Sequence, residues 1–199
     1  MHDLRFSDYL NKSLSYHDYV HYFHENTVAF KEGIEVVIPY AETLPLNWQR
    51  HTRNEKTFKL SIELEAVLDK LKHKVIWLVI SEPWCGDAAQ CLPGICRIAE
   101  ASNGKIDVHI VLRDTHLLLM DHFLTNGARS IPKLIQLNQS LEVTGTWGPR
   151  PKTAHDLVVK LKSDPSTEDT YKDALHRWYA DDKMQSLQTE IQELIQSVQ

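Results

Sequence analysis

The feature that most constrains the fold is an unbroken apolar run at residues 74–81, KVIWLVIS. Its β-branched residues indicate a strand, and its lack of polar alternation indicates that both faces of this strand are covered. Residues 105–114, KIDVHIVLRD, predict a second buried strand. Because strands covered on both faces lie in sheets with helices on either side, the sequence predicts an α/β protein.

Helical and turn patterns complete this prediction. Before the first strand, one helix face is marked by Leu60, Leu64, Val67, Leu68 and Leu71. The segment after residue 85 is typical of a helix, and THLLLMDHFLTNG predicts another, with Thr115 as its cap and Gly127 as its end. Residues 131–147, IPKLIQLNQSLEVTGTW, predict two strands joined by a turn at 138–140. We therefore predict an α/β sandwich, a mixed central sheet with helices on both faces and right-handed crossovers.

Helical patterns also flank this region. FSDYLNKSLSYHDYVHYFHEN, residues 6–26, predicts one helix from its three- and four-residue apolar spacing. IEVVIP, residues 34–39, ends in proline and predicts either an edge strand or an extended connector. At the other end, an amphipathic helix is indicated by Met184, Leu187, Ile191, Leu194, Ile195 and Val198. We expect this last stripe to pack on the core, with a dimer interface as the alternative.

Composition and charge exclude several classes of function. The chain has 199 residues and a formal net charge of -5, which gives no basic footprint for nucleic acid. No apolar run approaches the roughly 20 residues that span a bilayer. The polar start, MHDLRFSDYLNKS, lacks an apolar stretch of signal-peptide length. We therefore expect a cytoplasmic protein with neither a nucleic-acid nor a membrane partner, in which three cysteines indicate buried thiols, redox chemistry or metal.

All three cysteines lie in ISEPWCGDAAQCLPGICRIAE, residues 80–100, where the apolar strand leads into Trp84-Cys85-Gly86. RSIP follows at residues 129–132, then a predicted hairpin that ends in Trp147-Gly148. Together these features resemble the thioredoxin superfamily over residues 60–162, and WCGDAAQ is similar to a bacterial subfamily that varies the second cysteine. The resemblance implies a thioredoxin-like domain at 56–163, a helical N-terminal extension at 1–55 and C-terminal helices at 164–199.

The same resemblance implies a site. Cys85 would be its reactive residue, facing a cis peptide bond before Pro132, while the backbone of Ile131 would pair with an extended substrate segment. The substrate groove would be formed by Trp84, Gly86, Asp87, Ile131, Pro132, Trp147 and Gly148. Arg150 lies between two prolines in WGPRP and is either a contact for a substrate anion, such as a glutathione carboxylate, or a surface arginine.

Three departures from the thioredoxin pattern limit the chemistry. Asp87 replaces a proline, Ala88 replaces the second cysteine, and Val79 replaces a buried carboxylate. Cys91 lies about 9 Å along the helix from Cys85 and about 120° around it, too far for a disulfide. We expect Cys96, still further away, to be a buried and unreactive thiol.

Cys85 at a helix N-terminus faces unpaired N–H groups and the positive end of the helix dipole, which favour thiolate. Asp87 has two interpretations. Its negative charge disfavours the thiolate of Cys85, or it is only a carboxylate suited to the start of a helix and has no effect on the thiol. We expect a pKa below that of free cysteine, and monothiol exchange resolved by an external low-molecular-weight thiol, with no bound cofactor. The alternatives are a non-catalytic peptide- or protein-binding module, and a transferase or peroxidase that depends on glutathione or another low-molecular-weight thiol.

Two further groups merit a prediction. Glu82, three residues before Cys85, is expected to be solvated, although it is also the nearest spare base in sequence. His17, His21 and His24 share a helix face at a spacing that can bind metal. Because aromatic residues surround them, we expect a packing surface and no metal.

Overall fold

The computed structural model describes residues 4–198, so residues 1–3 of the predicted extension and residue 199 of the predicted C-terminal segment lie outside it. The described part of the chain contains one sheet of four strands. They are β1 (Val75–Ser81), β2 (Ile106–Leu112), β3 (Lys133–Leu137) and β4 (Val143–Trp147). Their order is β2-β1-β3-β4; β1 pairs parallel with β2 and antiparallel with β3, and β3 pairs antiparallel with β4. The predicted mixed sheet is confirmed.

Helices lie before, between and after the strands. They are α1 (Phe6–Leu10), α2 (Tyr16–Lys31), α3 (Leu44–Thr57), α4 (Ile62–Lys70), α5 (Gly86–Ala101), α6 (Leu117–Asp121), α7 (Lys152–Lys162), α8 (Tyr171–Asp182) and α9 (Gln185–Gln196), with a short 3₁₀ helix at Ala41–Thr43. No helix of residues 4–198 has the length and apolar character needed to cross a bilayer.

Alternate residues of β1 face two different layers, as the period of a strand requires. Trp77 and Val79 belong to a large buried cluster with apolar residues of α2, α4, α5 and α9. Leu78 and Ile80 belong to a second cluster, which includes Leu119 of α6. The helices therefore cover both faces of the sheet, and the predicted α/β sandwich is confirmed.

The N-terminal and C-terminal segments share the core of the sheet. Tyr19 of α2 is 1% exposed, and its hydroxyl lies 3.2 Å from Oγ of Ser81 at the end of β1. Ile191 and Ile195 of α9 are fully buried in the same cluster as Trp77. The C-terminal stripe thus packs on the core as predicted, while the division into three segments stays a prediction.

Two predicted helices were wrong in their extent, and the choice between strand and connector at residues 34–39 is resolved. The helix predicted over residues 6–26 breaks at 11–15, because Leu14 bridges to Ile110 and Ser15 caps α2 by accepting the Asp18 N–H at 3.1 Å. The helix predicted from Thr115 to Gly127 is shorter: α6 follows His116 and ends at Asp121, and a turn occupies 125–128. Residues 34–39 form a connector and no strand.

Candidate functional site at the start of helix α5

Cys85 stands at the N-cap position of α5, directly after the loop that leaves β1. Its Sγ accepts a hydrogen bond from the N–H of Ala88 at 3.4 Å, and the thiol donates to the carbonyl oxygen of Ile131 at 3.2 Å. The peptide bond between Ile131 and Pro132 is cis. The structure therefore brings Cys85 together with the peptide of Ile131 and Pro132, although Cys85 and Ile131 are 46 residues apart in the sequence.

Burial raises the pKa of the Cys85 thiol to about 12, and the negative charge of Asp87 adds to this effect. The N–H groups of Ala88 and Asp87 and the charge of Arg150 lower the pKa, but they do not offset the burial. Cys85 is only 8% exposed. The expectation of an unusually acidic thiol was wrong, because the helix start that favours thiolate is covered by the rest of the chain.

Asp87 is the centre of a buried network. The residue is 8% exposed; one carboxylate oxygen accepts from the Tyr179 hydroxyl at 2.7 Å, and the other accepts from Nε of Arg150 at 3.0 Å and from its Nη2. Asp87 is therefore more than a helix-start carboxylate, since its charge acts on Cys85. Arg150 is no surface arginine, because it is paired with Asp87, and its predicted contact with a substrate anion stays a prediction.

The other two cysteines are also free and buried. The Cys91 thiol donates to the Tyr179 hydroxyl, with its Sγ 3.7 Å from the oxygen, and burial raises its pKa well above the ordinary value. Burial likewise raises the pKa of Cys96. Ala88 occupies the position of the missing second sulfur. Cys85 therefore has no resolving partner in the resting arrangement.

Trp84 is half-buried beside Cys85. Its indole N–H donates to Asp114 at 3.2 Å, and the Arg113 guanidinium lies 4.4 Å from the ring centroid. Tyr40 meets the ring edge-on, with centroids 5.4 Å apart. Trp84 is thus held in a fixed orientation and lines a cleft above the start of α5.

This cleft of about 430 Å³ contains residues that the sequence analysis missed. A Cβ on Gly86 would lie 3.1 Å from the His176 ring and 3.6 Å from Nη1 of Arg50, so these side chains cover the start of α5. Burial lowers the pKa of His176 to about 4. Arg50 and His176 belong to α3 and α8, and no motif links them in sequence to Cys85.

Gly148 and Trp147, at the end of β4, have different contacts. Gly148 has a φ of +114°, and a Cβ there would lie 2.2 Å from the carbonyl oxygen of Pro132. Only glycine permits this approach. Trp147 is 7% exposed, and its indole N–H donates to Glu190 of α9 at 2.6 Å. Of this pair, Gly148 therefore has the close contact with Pro132.

Glu82 was wrongly expected to be solvated. Its side chain is 3% exposed, and it accepts from the backbone N–H of Asp114 at 2.8 Å. Burial raises its pKa to about 7. The loop after β1 lies beside the segment that follows β2, a contact that no local pattern around Glu82 reveals.

The histidine face of α2 lacks a metal-binding arrangement. His17 lies near Asp18, His21 near Glu25, and the His24 ring is 4.9 Å from that of Trp48. Within residues 4–198, no group of three or more His, Cys, Asp or Glu side chains is suited to hold a metal ion.

The fold and the site define an α/β protein with one cysteine at the start of a helix, opposite a cis proline. A family model described as Thioredoxin matches residues 36–172, a longer span than the 60–162 of the sequence resemblance. Because this match covers more than half of the 199 residues, the chain belongs to the thioredoxin family.

Two solved structures are similar to this chain. A protein of unknown function from Pseudomonas aeruginosa has a TM-score of 0.69 at 15% identity, with 99% of this chain and 100% of that chain covered. An HIV epitope-scaffold has a TM-score of 0.65 at 13% identity, with 97% and 98% covered. At these identities the likeness shows the fold alone. No curated protein matches the chain.

Proposed function

We propose that this protein exchanges thiols and disulfides by a monothiol mechanism through Cys85. The observation that carries the proposal is the position of its Sγ, at the N-cap of α5 and 3.2 Å from the carbonyl oxygen that precedes Pro132. Within the family, we also propose that the chain belongs to the bacterial group whose site reads Trp-Cys-Gly-Asp-Ala.

The reaction has two steps. The Cys85 thiolate attacks one sulfur of a substrate disulfide, the S–S bond breaks, and the leaving thiolate takes up a proton. Ala88 offers no second sulfur, so the mixed disulfide persists until an external thiol attacks it. That thiol forms a new disulfide with the substrate sulfur and gives its proton to the thiolate of Cys85. The net result is exchange of a thiol and a disulfide, without net oxidation.

Formation of the thiolate limits the first step. With a pKa of about 12, the thiol is protonated at neutral pH. Three groups favour the thiolate once it forms: the N–H groups of Ala88 and Asp87, and the guanidinium of Arg150. A disulfide seated at Pro132 would also replace the hydrogen bond between the thiol and Ile131. We expect exchange to be slow compared with a site whose cysteine is exposed.

A specific observation favours a second candidate. The thiol is buried and its pKa is raised, while the surfaces of Trp84, Pro132 and Gly148 are in place. A thioredoxin-fold module that binds a peptide and performs no exchange needs only those surfaces. The third candidate, a transferase or peroxidase that depends on glutathione or another low-molecular-weight thiol, differs from the first in its substrate, which for a peroxidase is a peroxide in place of a disulfide.

Intact-mass measurement of adducts separates the first two candidates. The protein is incubated with oxidised glutathione or 2-hydroxyethyl disulfide at several values of pH. We expect one adduct on Cys85, formed about tenfold faster for each unit of pH between 7 and 10, because the thiolate fraction rises in that proportion below the pKa. Cys85→Ser should abolish the adduct. Cys96→Ala, which changes a buried thiol far from the site, should leave the rate of adduct formation unchanged.

Further results distinguish the three candidates. Absence of any Cys85 adduct at pH 9 would contradict the proposal and favour the binding module. Reduction of insulin with dithiothreitol is expected to fail, because that reaction benefits from a second cysteine. Reduction of a glutathione mixed disulfide by glutathione is expected to succeed. A glutathione-dependent peroxidase activity that Cys85→Ser abolishes would favour the third candidate.

The proposed compartment is the cytoplasm. All three cysteines are free thiols in the structure, which suits a reducing environment. The proposed partners are protein or low-molecular-weight disulfides, and the proposed co-substrate is an external thiol.

A further inference from the structure

Two polar groups face one cavity beside Pro132 without a partner. This cavity of about 280 Å³ lies between the turn of Thr125 and Asn126, the start of β3, and the end of β4. Lys133 opens β3 and is 7% exposed, yet its ammonium has no hydrogen bond or ion pair with any residue from 4 to 198. The buried hydroxyl of Thr125 likewise has no hydrogen-bond partner in that part of the chain.

The other charged groups at the cavity are engaged. Arg150 binds Asp87, and Nζ of Lys152 donates to Asp156 at 2.6 Å. Both oxygens of Glu190 accept hydrogen bonds, one of them from the backbone N–H of Lys152. Because both donors to Glu190 are neutral N–H groups, Glu190 keeps its negative charge. Lys133 is the cation of the cavity lining that has no ion pair among residues 4–198.

A lysine as enclosed as Lys133 is unusual without a partner, because lysine is almost never largely buried unless it is paired. Burial lowers the pKa of Lys133, in keeping with a charge withdrawn from water. One uncompensated positive charge and one free hydroxyl suit a group with a single negative charge and two oxygen acceptors. A carboxylate has these properties, whereas a phosphate dianion would leave one negative charge unbalanced.

The cavity is close to the reactive sulfur. Lys133 lies two residues beyond Ile131, so their Cα atoms are less than about 7 Å apart across the cis peptide bond. The carbonyl of Ile131 is in turn 3.2 Å from Sγ of Cys85. Gly148, which lines the cavity, touches the carbonyl of Pro132. The cavity and Cys85 are thus both next to the peptide of Ile131 and Pro132.

We propose that Lys133 and Thr125 form a subsite for a carboxylate of the disulfide that reacts with Cys85. The inference rests on the proposed function, since it identifies the substrate as a carboxylate-bearing disulfide. The carboxylate has two sources, a low-molecular-weight thiol such as glutathione or an acidic side chain near the cysteine of a protein.

The test measures binding in the absence of exchange, in the full chain with Cys85→Ser. Oxidised glutathione is titrated by calorimetry. We expect Lys133→Met to weaken binding about tenfold, because a charge-assisted contact with the carboxylate is lost. The matched control is Lys152→Met, which changes a paired lysine of the same cavity and should alter the dissociation constant less than about twofold.

A second comparison leaves the protein unchanged. Oxidised glutathione with its carboxylates converted to ethyl esters should bind about tenfold more weakly than the acid. Replacement of Lys133 should then cause no further loss. If Lys133→Met does not fold, this comparison alone decides. To separate the two sources of the carboxylate, the same titration is made with a peptide disulfide that has a glutamate two residues from its cysteine. The probe whose affinity falls more in Lys133→Met identifies the source.

Equal affinities for acid and ester, an affinity that Lys133→Met does not change, or no binding of either probe would overturn the subsite. Failure of the proposed function is distinguishable from this. Lys133-dependent binding by a protein whose Cys85 exchanges no disulfide would retain the subsite and contradict the exchange. Exchange by Cys85 at a rate that does not depend on Lys133 would support the proposed function and contradict the subsite.

Discussion

Cys85 is subject to opposing influences on its thiol. The N–H groups at the start of α5 favour the thiolate, whereas burial and the charge of Asp87 favour the thiol. Tyr179 and Arg150 keep the Asp87 carboxylate beside Cys85 by hydrogen bonds. The reactivity of this residue therefore depends on α8 and on the loop after β4, neither of which belongs to its motif.

Replacement of Asp87 by asparagine is expected to activate Cys85. Removal of the negative charge lowers the pKa of the thiol and frees the Arg150 guanidinium to act on the thiolate. We expect alkylation of Cys85 by iodoacetamide at pH 8 to become about tenfold faster, equivalent to a pKa lower by about one unit. Peptide mass spectrometry separates Cys85 from Cys91 and Cys96.

The control for this variant is Tyr179→Phe, which removes one hydrogen bond to Asp87 and keeps its charge. It should change the alkylation rate less than about threefold if charge is the cause. Equal rates for Asp87→Asn and the unchanged protein would show that burial alone sets the pKa.

At the scale of the element, α5 and its approach from β1 were predictable from sequence. The apolar run, the cysteine at the helix start and the distant Ile131-Pro132 pair all lie where the patterns indicate. The cover over the helix start was not predictable, because His176 and Tyr179 contact residues that lie 86 and 92 positions before them in the sequence. A local sequence pattern indicates the helix or strand to which a residue belongs, whereas the burial of that residue depends on which other elements pack against it.

Restoring a second cysteine tests whether α5 retains the geometry of a dithiol site. The N–H of Ala88 already contacts Sγ of Cys85 at 3.4 Å, so the two side chains lie on the same turn. We expect Ala88→Cys to form a disulfide with Cys85 on oxidation, and to shorten the lifetime of the glutathione adduct. Intact mass after thiol trapping measures both. An adduct as persistent as that of the unchanged protein would show that the first turn of α5 cannot support exchange.

The end of β4 depends on the missing side chain of Gly148. An alanine there combines a φ of +114° with a contact of 2.2 Å to backbone of Pro132. We expect Gly148→Ala to lower the free energy of unfolding by about 2–4 kcal/mol, measured with urea. Gly104→Ala is the matched control, since Gly104 has a φ of +81° but open space around it. A similar loss in both variants would mean that backbone strain, and not the contact with Pro132, is responsible.

At the scale of the whole molecule, the sheet and its flanking helices share one buried cluster. Tyr19 of α2, Trp77 of β1 and Ile191 of α9 are all members of it. The sequence indicated α4 and α9 by their apolar stripes, but not that α3 would bring a polar side chain into the interior. His51 of α3 is 1% exposed and hydrogen-bonds Tyr16 through Nε2, while its Nδ1 has no partner among residues 4–198.

This arrangement makes stability depend on pH. Burial lowers the pKa of His51 from 6.5 to about 4, so the folded state resists protonation. The neutral histidine contributes stability above pH 6.5, and this contribution is lost as the pH falls toward 4. Glu82 acts in the opposite sense: with its pKa raised from 4.5 to about 7, its contribution is present below pH 4.5 and is lost as the pH rises through 7.

We expect His51→Gln to reduce the acid sensitivity of the fold. The lowered pKa of His51 corresponds to about 3 kcal/mol of stability lost between pH 6.5 and 4. Urea unfolding at pH 7.5, 5.5 and 4.5 should therefore show a flatter profile in His51→Gln, even if this variant is less stable at pH 7.5. His21→Gln, a change at an exposed histidine of α2, should keep the original slope. An unchanged slope in His51→Gln would place the acid sensitivity elsewhere, with His176, whose pKa is lowered in the same direction, as the next residue to replace.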